Sequence, residues 1–364
     1  MTLVLRHPFW ERLLASSPRG IALAVSGLLR HPVALRPLRE ARPNSTLGRL
    51  LRGRPEVWGM VATPYLCARW SAAERLTRIA GHCAAVERLG PLLDTPLDAF
   101  VDLLDLPEID SAHRIVLDQP HWLLRDGQAT FSLWDGADRL ISLSYCLSFD
   151  GDGLTAYVGG LQGRSEAGVL DRYRRFTKQA EGLRPTDFTI DLFRVFCCGL
   201  GVTRLLAVSD AIHHRRSAYF ARRSDSTAAH LSYDALWHGR GGALRPDGFY
   251  ALPLADARRP AGAIPANKRA MYRRRYAMLD ALAARLDRIT RDGADPVRVG
   301  FHGRVGPASP GPFGRGPGRP GLRPFPGSGS AAGAVPAAGR GRHLEWGLGP
   351  DFGTDLRRPR PGPP

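Results

Sequence analysis

Along this chain the period of the apolar positions changes, and the change divides it. Between Ala72 and Leu89 apolar side chains recur at Leu76, Ile79, Cys83, Val86 and Leu89, the spacing of one helical face. The leucine-rich, acidic run from Leu93 to Leu106 also reads as helix, ended by Pro107. Residues 1–119 are therefore expected to form a helical N-terminal region. From Pro120 the pattern shortens. Trp122 to Leu124, Thr130 to Trp134, Leu140 to Phe149 and Leu154 to Val158 are strand-like runs. Asp126-Gly127, Asp135-Gly136 and Asp150-Gly151-Asp152-Gly153 separate them, and each is a hairpin-turn sequence. In the third run Ile141, Leu143, Tyr145, Leu147 and Phe149 alternate with Ser142, Ser144, Cys146 and Ser148, as in an antiparallel strand with one face in the core.

The fourth run leads into Gly159-Gly160-Leu161-Gln162-Gly163-Arg164-Ser165, read as a glycine-rich turn, and then a helix to about Ala180. Ser165 is its expected N-cap, and Val169, Tyr173, Phe176 and Ala180 are its buried face. A more apolar helix spans Asp187 to about Leu200. Leu205 to Val208 follows as a strand, then a helix near His213 to Arg222 and strands at Ala228 to Ser232 and Gly248 to Leu254. The predicted fold class is mixed α/β (α+β), an antiparallel meander with flanking helices whose core spans 120–260. Residues 261–295 supply a C-terminal amphipathic basic helix packed on that core. Asn267 is its expected N-cap, and Tyr272, Tyr276, Leu279, Ala283 and Leu286 form its apolar face. Beyond Pro296 about 45% of residues are Gly or Pro without periodicity, so 296–364 is expected to be a disordered tail. Two origins stay open for it, a natural basic tail or a GC-rich coding sequence read in a shifted frame.

Charge sharpens this division. The formal net charge is +17, of which ten Arg against three acids place +7 beyond Pro296 and leave +10 on the first 295 residues. Such a surface suits a phosphate-bearing or anionic ligand, or peripheral contact with an anionic membrane. No helix-turn-helix, zinc-finger or RNA-binding signature accompanies it, so nucleic acid is the weaker partner. Lys178 and Lys268 are the only lysines among 51 basic residues. Five cysteines without CxxC spacing imply reduced thiols, with Cys197 and Cys198 buried and inert. With no secretory leader and no run of about 18 apolar residues, the expected location is cytoplasmic, with peripheral contact at the inner membrane.

Several segments carry a family resemblance: VGGLQGR (158–164), FTKQAEGLRP (176–185), LLAVSDAIHH (205–214), YDALW (233–237), FYALPL (249–254) and IPANKRAMYRRRYAMLD (264–280). Together they resemble the VirK/YbjX family of bacterial proteins over roughly residues 50 to 295. The resemblance implies a link to virulence, antimicrobial-peptide resistance or envelope stress in Gram-negative bacteria. It carries over no catalytic residues.

The order meander, glycine-rich turn, helix, strand, helix, two strands also resembles a GNAT-like acyltransferase core. That resemblance implies an acyl or aminoacyl transfer reaction with acyl-CoA or a similar phosphate-bearing acyl donor. Gly159, Gly160, Gln162, Gly163, Arg164 and Ser165 become the donor-binding turn, through backbone N–H groups and the Arg164 guanidinium. The alternative is a tight strand-to-helix connection. Tyr219 would act as general acid or pack in the core beside Phe220, and His213, like His214, would act as base or ligand, or be a capping or surface histidine. His213 and His214, read as neighbours on a helix, point about 100° apart and so are not expected to hold one metal ion. Lys268, Arg269 and Arg273, with Arg274 and Arg275, are expected either to gather an anion near the Gly159–Ser165 turn or to pair with acids of the fold. The competing function is a non-enzymatic basic stress protein acting on membrane surface or nucleic acid.

Overall fold

A computed structural model describes residues 18–151, 153–164, 168–221, 231–255, 258–292 and 298–301. Residues 1–224 with 232–304 form one compact unit that holds every element below; the second unit comprises 225–231 and 305–364, of which only Leu231 is described.

The described residues begin with α1 (Pro18–Arg30), α2 (Arg36–Arg39), α3 (Thr46–Gly53) and α4 (Ala72–Leu89). Helix α4 spans the predicted range, and Ser71 and Glu74 close a reciprocal capping box at its start. Strands β1 (Ala99–Asp105) and β2 (His113–Asp118) follow, so the helix expected over 93–106 is a correction. Pro96 and Leu97 lie just before the strand, and Asp102 pairs with Arg114 across β1 and β2 at 2.7 Å. Cross-strand partners thus outweigh the local leucine spacing, and the sheet begins about twenty residues earlier than expected.

Strands β3 (Ala129–Asp135), β4 (Asp138–Asp150) and β5 (Gly153–Gly163) complete the meander. Helices α5 (Val169–Gln179) and α6 (Pro185–Gly199) cross over to β6 (Val202–Val208), followed by α7 (Ala218–Ala221), α8 (Tyr233–Gly239), β7 (Ala243–Leu244), β8 (Phe249–Leu252), α9 (Arg269–Asp292) and β9 (Arg298–Phe301). Among the described residues the strands form one sheet in the order β7-β8-β6-β5-β4-β3-β2-β1-β9, antiparallel except for β5 with β6. The mixed α/β class is as expected.

β4 is an antiparallel strand as expected, but both its faces are buried, not one: Leu143, Tyr145 and Leu147 enter one core with Phe188, Phe193 and Phe196 of α6 and Leu282 and Leu286 of α9. Cys146 faces the other core, with Trp58, Leu76, Ile79 and Cys83. Further toward the start of β4, that second face is polar. Ser132, Ser142 and Ser144 are all buried there, and Gln162 stands opposite Ser142.

Several other expectations need correcting. Trp122 to Leu124 is not a strand; His121–Leu123 forms a 3-10 turn. The helix near His213 is a 3-10 turn (His214–Arg216) followed by the four-residue α7. Asn267 lies in a separate 3-10 turn before α9. The tail is not wholly unpaired, because β9 adds to the free edge of β1. There Gly300 leaves room for the Phe100 ring, which a Cβ would meet. The remainder of 302–364, Ser165, and 228–230 of the predicted strand lie outside the described residues.

Candidate functional site

The parallel pairing of β5 with β6 ends at Val158 and Ala207, while β5 continues along β4 to Gly163. Past that point the two strands part, and the opening is filled by side chains from three separate segments. A bulge marks the same place: Ser144 pairs with Gly160 and Tyr145 with Val158, leaving Gly159 unpaired on β5.

The first segment carries Asp126. Its N–H and that of Gly127 donate to the Leu123 carbonyl at 2.8 and 3.2 Å, and the Gln128 N–H donates to the Tyr145 carbonyl at 3.0 Å. Asp126-Gly127 is therefore a loop laid over the β4–β5 bulge, not a hairpin turn. The approach needs bare backbone beneath it. A Cβ on Gly160 would stand 2.9 Å from Asp126 Oδ1, and one on Gly159 would be 2.6 Å from Leu66 Cγ and 2.9 Å from the Asp126 carbonyl carbon.

The second segment follows β6. His213 Nε2 lies 3.3 Å and His214 Nδ1 3.4 Å from Asp126 Oδ1, while Gln162 Nε2 donates to Asp126 Oδ2 at 2.8 Å. Asp126, His213 and His214 are 3%, 7% and 3% exposed. The two histidines converge because His213 is not helical: at φ −55 and ψ 140 it caps the 3-10 turn, with Nδ1 accepting the Arg215 N–H at 3.4 Å. The expectation that adjacent histidines diverge applied helical geometry where the backbone is extended. The third segment is α8. Asp210 accepts the Tyr233 N–H (2.9 Å) and the Ser232 hydroxyl (2.8 Å), and Trp237 Nε1 donates to the Val208 carbonyl at 2.8 Å. Docked this way, Tyr233 receives the Leu161 N–H that β6 no longer satisfies, at 3.1 Å, and its ring lies 5.1 Å from that of His213.

The electrostatics follow from burial. Desolvation pushes His214 down to about 3, against the pull of Asp126, so its imidazole is neutral. Burial also opposes ionisation of Asp126, but His214, His213 and Arg215 outweigh it and the carboxyl sits below its ordinary value. Burial raises the Tyr233 phenol.

Gln162 joins this cluster to a surface cavity of about 340 Å³, lined among others by Trp122, Trp134, Arg139, Ser142, Gly163 and Arg164. Arg139 donates to Asp118 Oδ1 at 3.0 Å and lies 4.9 Å from the Trp134 ring and 5.6 Å from that of Trp122. Burial lowers the Arg139 guanidinium to about 10. Trp122 is 60% exposed at the rim.

Gln162, Gly163 and Arg164 thus line one cavity, while Gly159 and Gly160 lie beneath Asp126, all five on or just after β5 instead of in a turn. Arg164 is held by Asp138 at 2.8 Å. Tyr219 is half-buried beside Phe220 (5.0 Å between rings), which in turn packs on His214 at 5.7 Å. Lys268 is half-buried, whereas Arg269 and Arg273 are exposed. Arg269 donates to the Ile264 carbonyl at 3.2 Å, and Arg274 and Arg275 converge on the Glu181 carboxylate and carbonyl. Helix α9 packs on α6 and β1. The pairing of Arg274 with an acid of the fold is the outcome seen. Cys197 is buried as expected, but Cys198 is exposed. Sequence reasoning passed over Asp126 and Tyr233. Asp126-Gly127 reads locally as turn chemistry, and only the fold brings Asp126 to His213, 87 residues away, and to its neighbour His214.

Comparison with known proteins agrees with the resemblance. Residues 16–288 match the family described as "Protein of unknown function (DUF535)", and the chain belongs to it. It is similar to the Escherichia coli (strain K12) "Uncharacterized protein YbjX", 28% identical over 242 residues, covering 64% of this chain and 72% of the relative. A Haemophilus influenzae "Uncharacterized protein" is 27% identical over 223 residues, covering 61% and 72%. No solved structure matches. Among the described residues no helix is long and apolar enough to cross a membrane.

Proposed function

We propose that this protein is an acyl- or aminoacyl-transferase on a GNAT-like core, acting on an envelope component or its precursor in the stress and antimicrobial-peptide responses that the VirK/YbjX resemblance implies. The observation that carries the reading is the parting of β5 from β6 just past a parallel pair. Ligand sites in sheets with parallel strands gather beyond the carboxyl ends of those strands, and here that position holds a buried carboxylate, two imidazoles and a phenol. The element order adds partial support: a meander, a crossover to a strand, short helices and a final strand pair follow one another as in that fold, but two helices make the crossover here where that fold has one.

In this reading the cavity takes the phosphate-bearing arm of the acyl donor. About 340 Å³ lies within the range of small-molecule sites, and the guanidinium groups of Arg139 and Arg164, held in place by Asp118 and Asp138, stand at its wall beside the apolar faces of Trp122 and Trp134. His213, oriented by Asp126, draws the proton from the acceptor amine or hydroxyl, and Tyr219 returns one to the leaving group. His214, neutral down to about pH 3, is too weak a base for that task and serves to position. The competing reading, a basic surface on an anionic membrane, has less support because Glu181 already engages Arg274 and Arg275.

Thermal-shift and calorimetric titration with acyl-CoA and phosphopantetheine thioesters tests the proposal. Stabilisation that Trp122→Ala and Arg164→Gln both reduce is expected. Indifference to every thioester, with strongly salt-dependent binding to anionic vesicles, would favour the surface reading instead.

A further inference from the structure

We propose that Asp126, His213 and His214 bind one divalent metal ion of the zinc class, through three protein ligands with a fourth position open. The test is independent of the transferase reading, because metal uptake is measured on the protein alone, without any acyl donor; with the ion bound, His213 is a ligand and no longer the proton acceptor of that reading.

Geometry is the first argument. One ligand atom from each residue lies within 4.8 Å of the other two. The two contacts to Asp126 Oδ1, 3.3 and 3.4 Å, are long for hydrogen bonds, and the His214 Nδ1 contact does not qualify as one: that buried nitrogen has no hydrogen-bond partner. Both lengths match the edge of a tetrahedron. For metal–ligand bonds of about 2.0–2.1 Å, neighbouring ligands stand about 3.3–3.4 Å apart. Two edges of a four-coordinate site thus already stand near their bonded length, and the third, between the two histidines, is within 4.8 Å.

Orientation agrees. Gln162 holds Oδ2, leaving Oδ1 toward the histidines, which is how outer hydrogen bonds orient a ligating carboxylate. His213 would move its ring proton from Nε2 to Nδ1 on binding, giving up the 3.4 Å contact with the Arg215 N–H. Arg215 also opposes a dication, since its charge acts on both Asp126 and His214. Two histidines, one carboxylate and an open position suit a catalytic more than a purely structural ion.

The test uses the full chain, stripped with chelator and dialysed against zinc or cobalt(II). We expect one equivalent bound, with visible cobalt bands of tetrahedral intensity and no thiolate charge-transfer absorption. His214→Gln should weaken uptake by roughly 100-fold or more, Gln162→Ala by about 10- to 100-fold, and Arg215→Gln should tighten it. Circular dichroism and melting confirm that each variant is folded; if Asp126→Asn does not fold, His214→Gln and the wild-type cobalt spectrum decide. Failure of the wild-type chain to retain zinc, undiminished uptake by folded His214→Gln, or a thiolate band reporting cysteine ligands would overturn the proposal.

Discussion

Replacing Gly159 by alanine tests whether the Asp126 loop is wedged against β5. The added Cβ would fall on the Asp126 carbonyl group and 2.6 Å from Leu66 Cγ, where ordinary contact begins at 3.4 Å, so the loop must retreat by about 0.8 Å or more. It has little freedom to do so. The Leu66 N–H donates to the Arg125 carbonyl at 2.7 Å and the His214 N–H to the Leu66 carbonyl at 3.1 Å, so the Asp126 loop and the histidine segment are both tied to Leu66 at this point. Overpacking against backbone belongs at the upper end of the usual penalty, about 3 kcal/mol. For a domain of this size that corresponds to a fall in melting temperature of about 5–10 °C. Without the clash the sign reverses, because alanine in a strand is favoured over glycine by roughly 0.5–1 kcal/mol. Thermal and urea melts of Gly159→Ala should be read beside Gly262→Ala, where a Cβ meets nothing within 4 Å and the change should stay within about 0.5 kcal/mol. A Gly159→Ala protein as stable as wild type, or more so, would refute the wedge and with it the placement of Asp126.

His82 gives a pH prediction. Burial lowers it to about 4 from an ordinary 6.5, and its Nδ1 accepts the Leu147 N–H at 3.0 Å. The folded state therefore binds fewer protons below pH 6.5, so stability is complete above that value and falls by about 3 kcal/mol by pH 4. His82→Asn, which keeps an acceptor, should flatten the melting temperature across that window relative to wild type; parallel curves would count against it. Ending the chain after Asp292 removes β9 and frees the β1 edge, which should lower the melting temperature and promote concentration-dependent association in light scattering. Arg269→Gln combined with Arg273→Gln changes exposed side chains and should leave melting within about 0.5 kcal/mol of wild type; a larger loss would give these cations a structural role.

The elements with strict alternation were legible. β4 could be read because Tyr145 and its neighbours face one packed layer and Cys146 the other, and α4 because Leu76, Ile79 and Cys83 hold a single face. β1 was not, since burial runs without alternation from Val101 to Leu104, Asp102 included, and a bulge between Asp102 and Leu104 breaks the period. At the site, glycines 159 and 160 were noticed for the right reason, close approach, but the approaching group is this chain's own Asp126. Nothing local announces that meeting. It depends on a sheet opening between β5 and β6 and on an extended His213, both set by tertiary packing.

The pairing of β1 with β9 has a consequence for how the molecule is made. Ala99 meets Phe301 only after roughly 200 further residues have been synthesised. Until then the meander can assemble locally, hairpin upon hairpin, while its first strand presents an unsatisfied row of backbone groups. A nascent chain paused anywhere in that interval carries a template for pairing with another copy. The short C-terminal strand therefore acts as a late latch, and the rate at which it closes, more than the stability it adds, should govern how much newly made protein escapes aggregation.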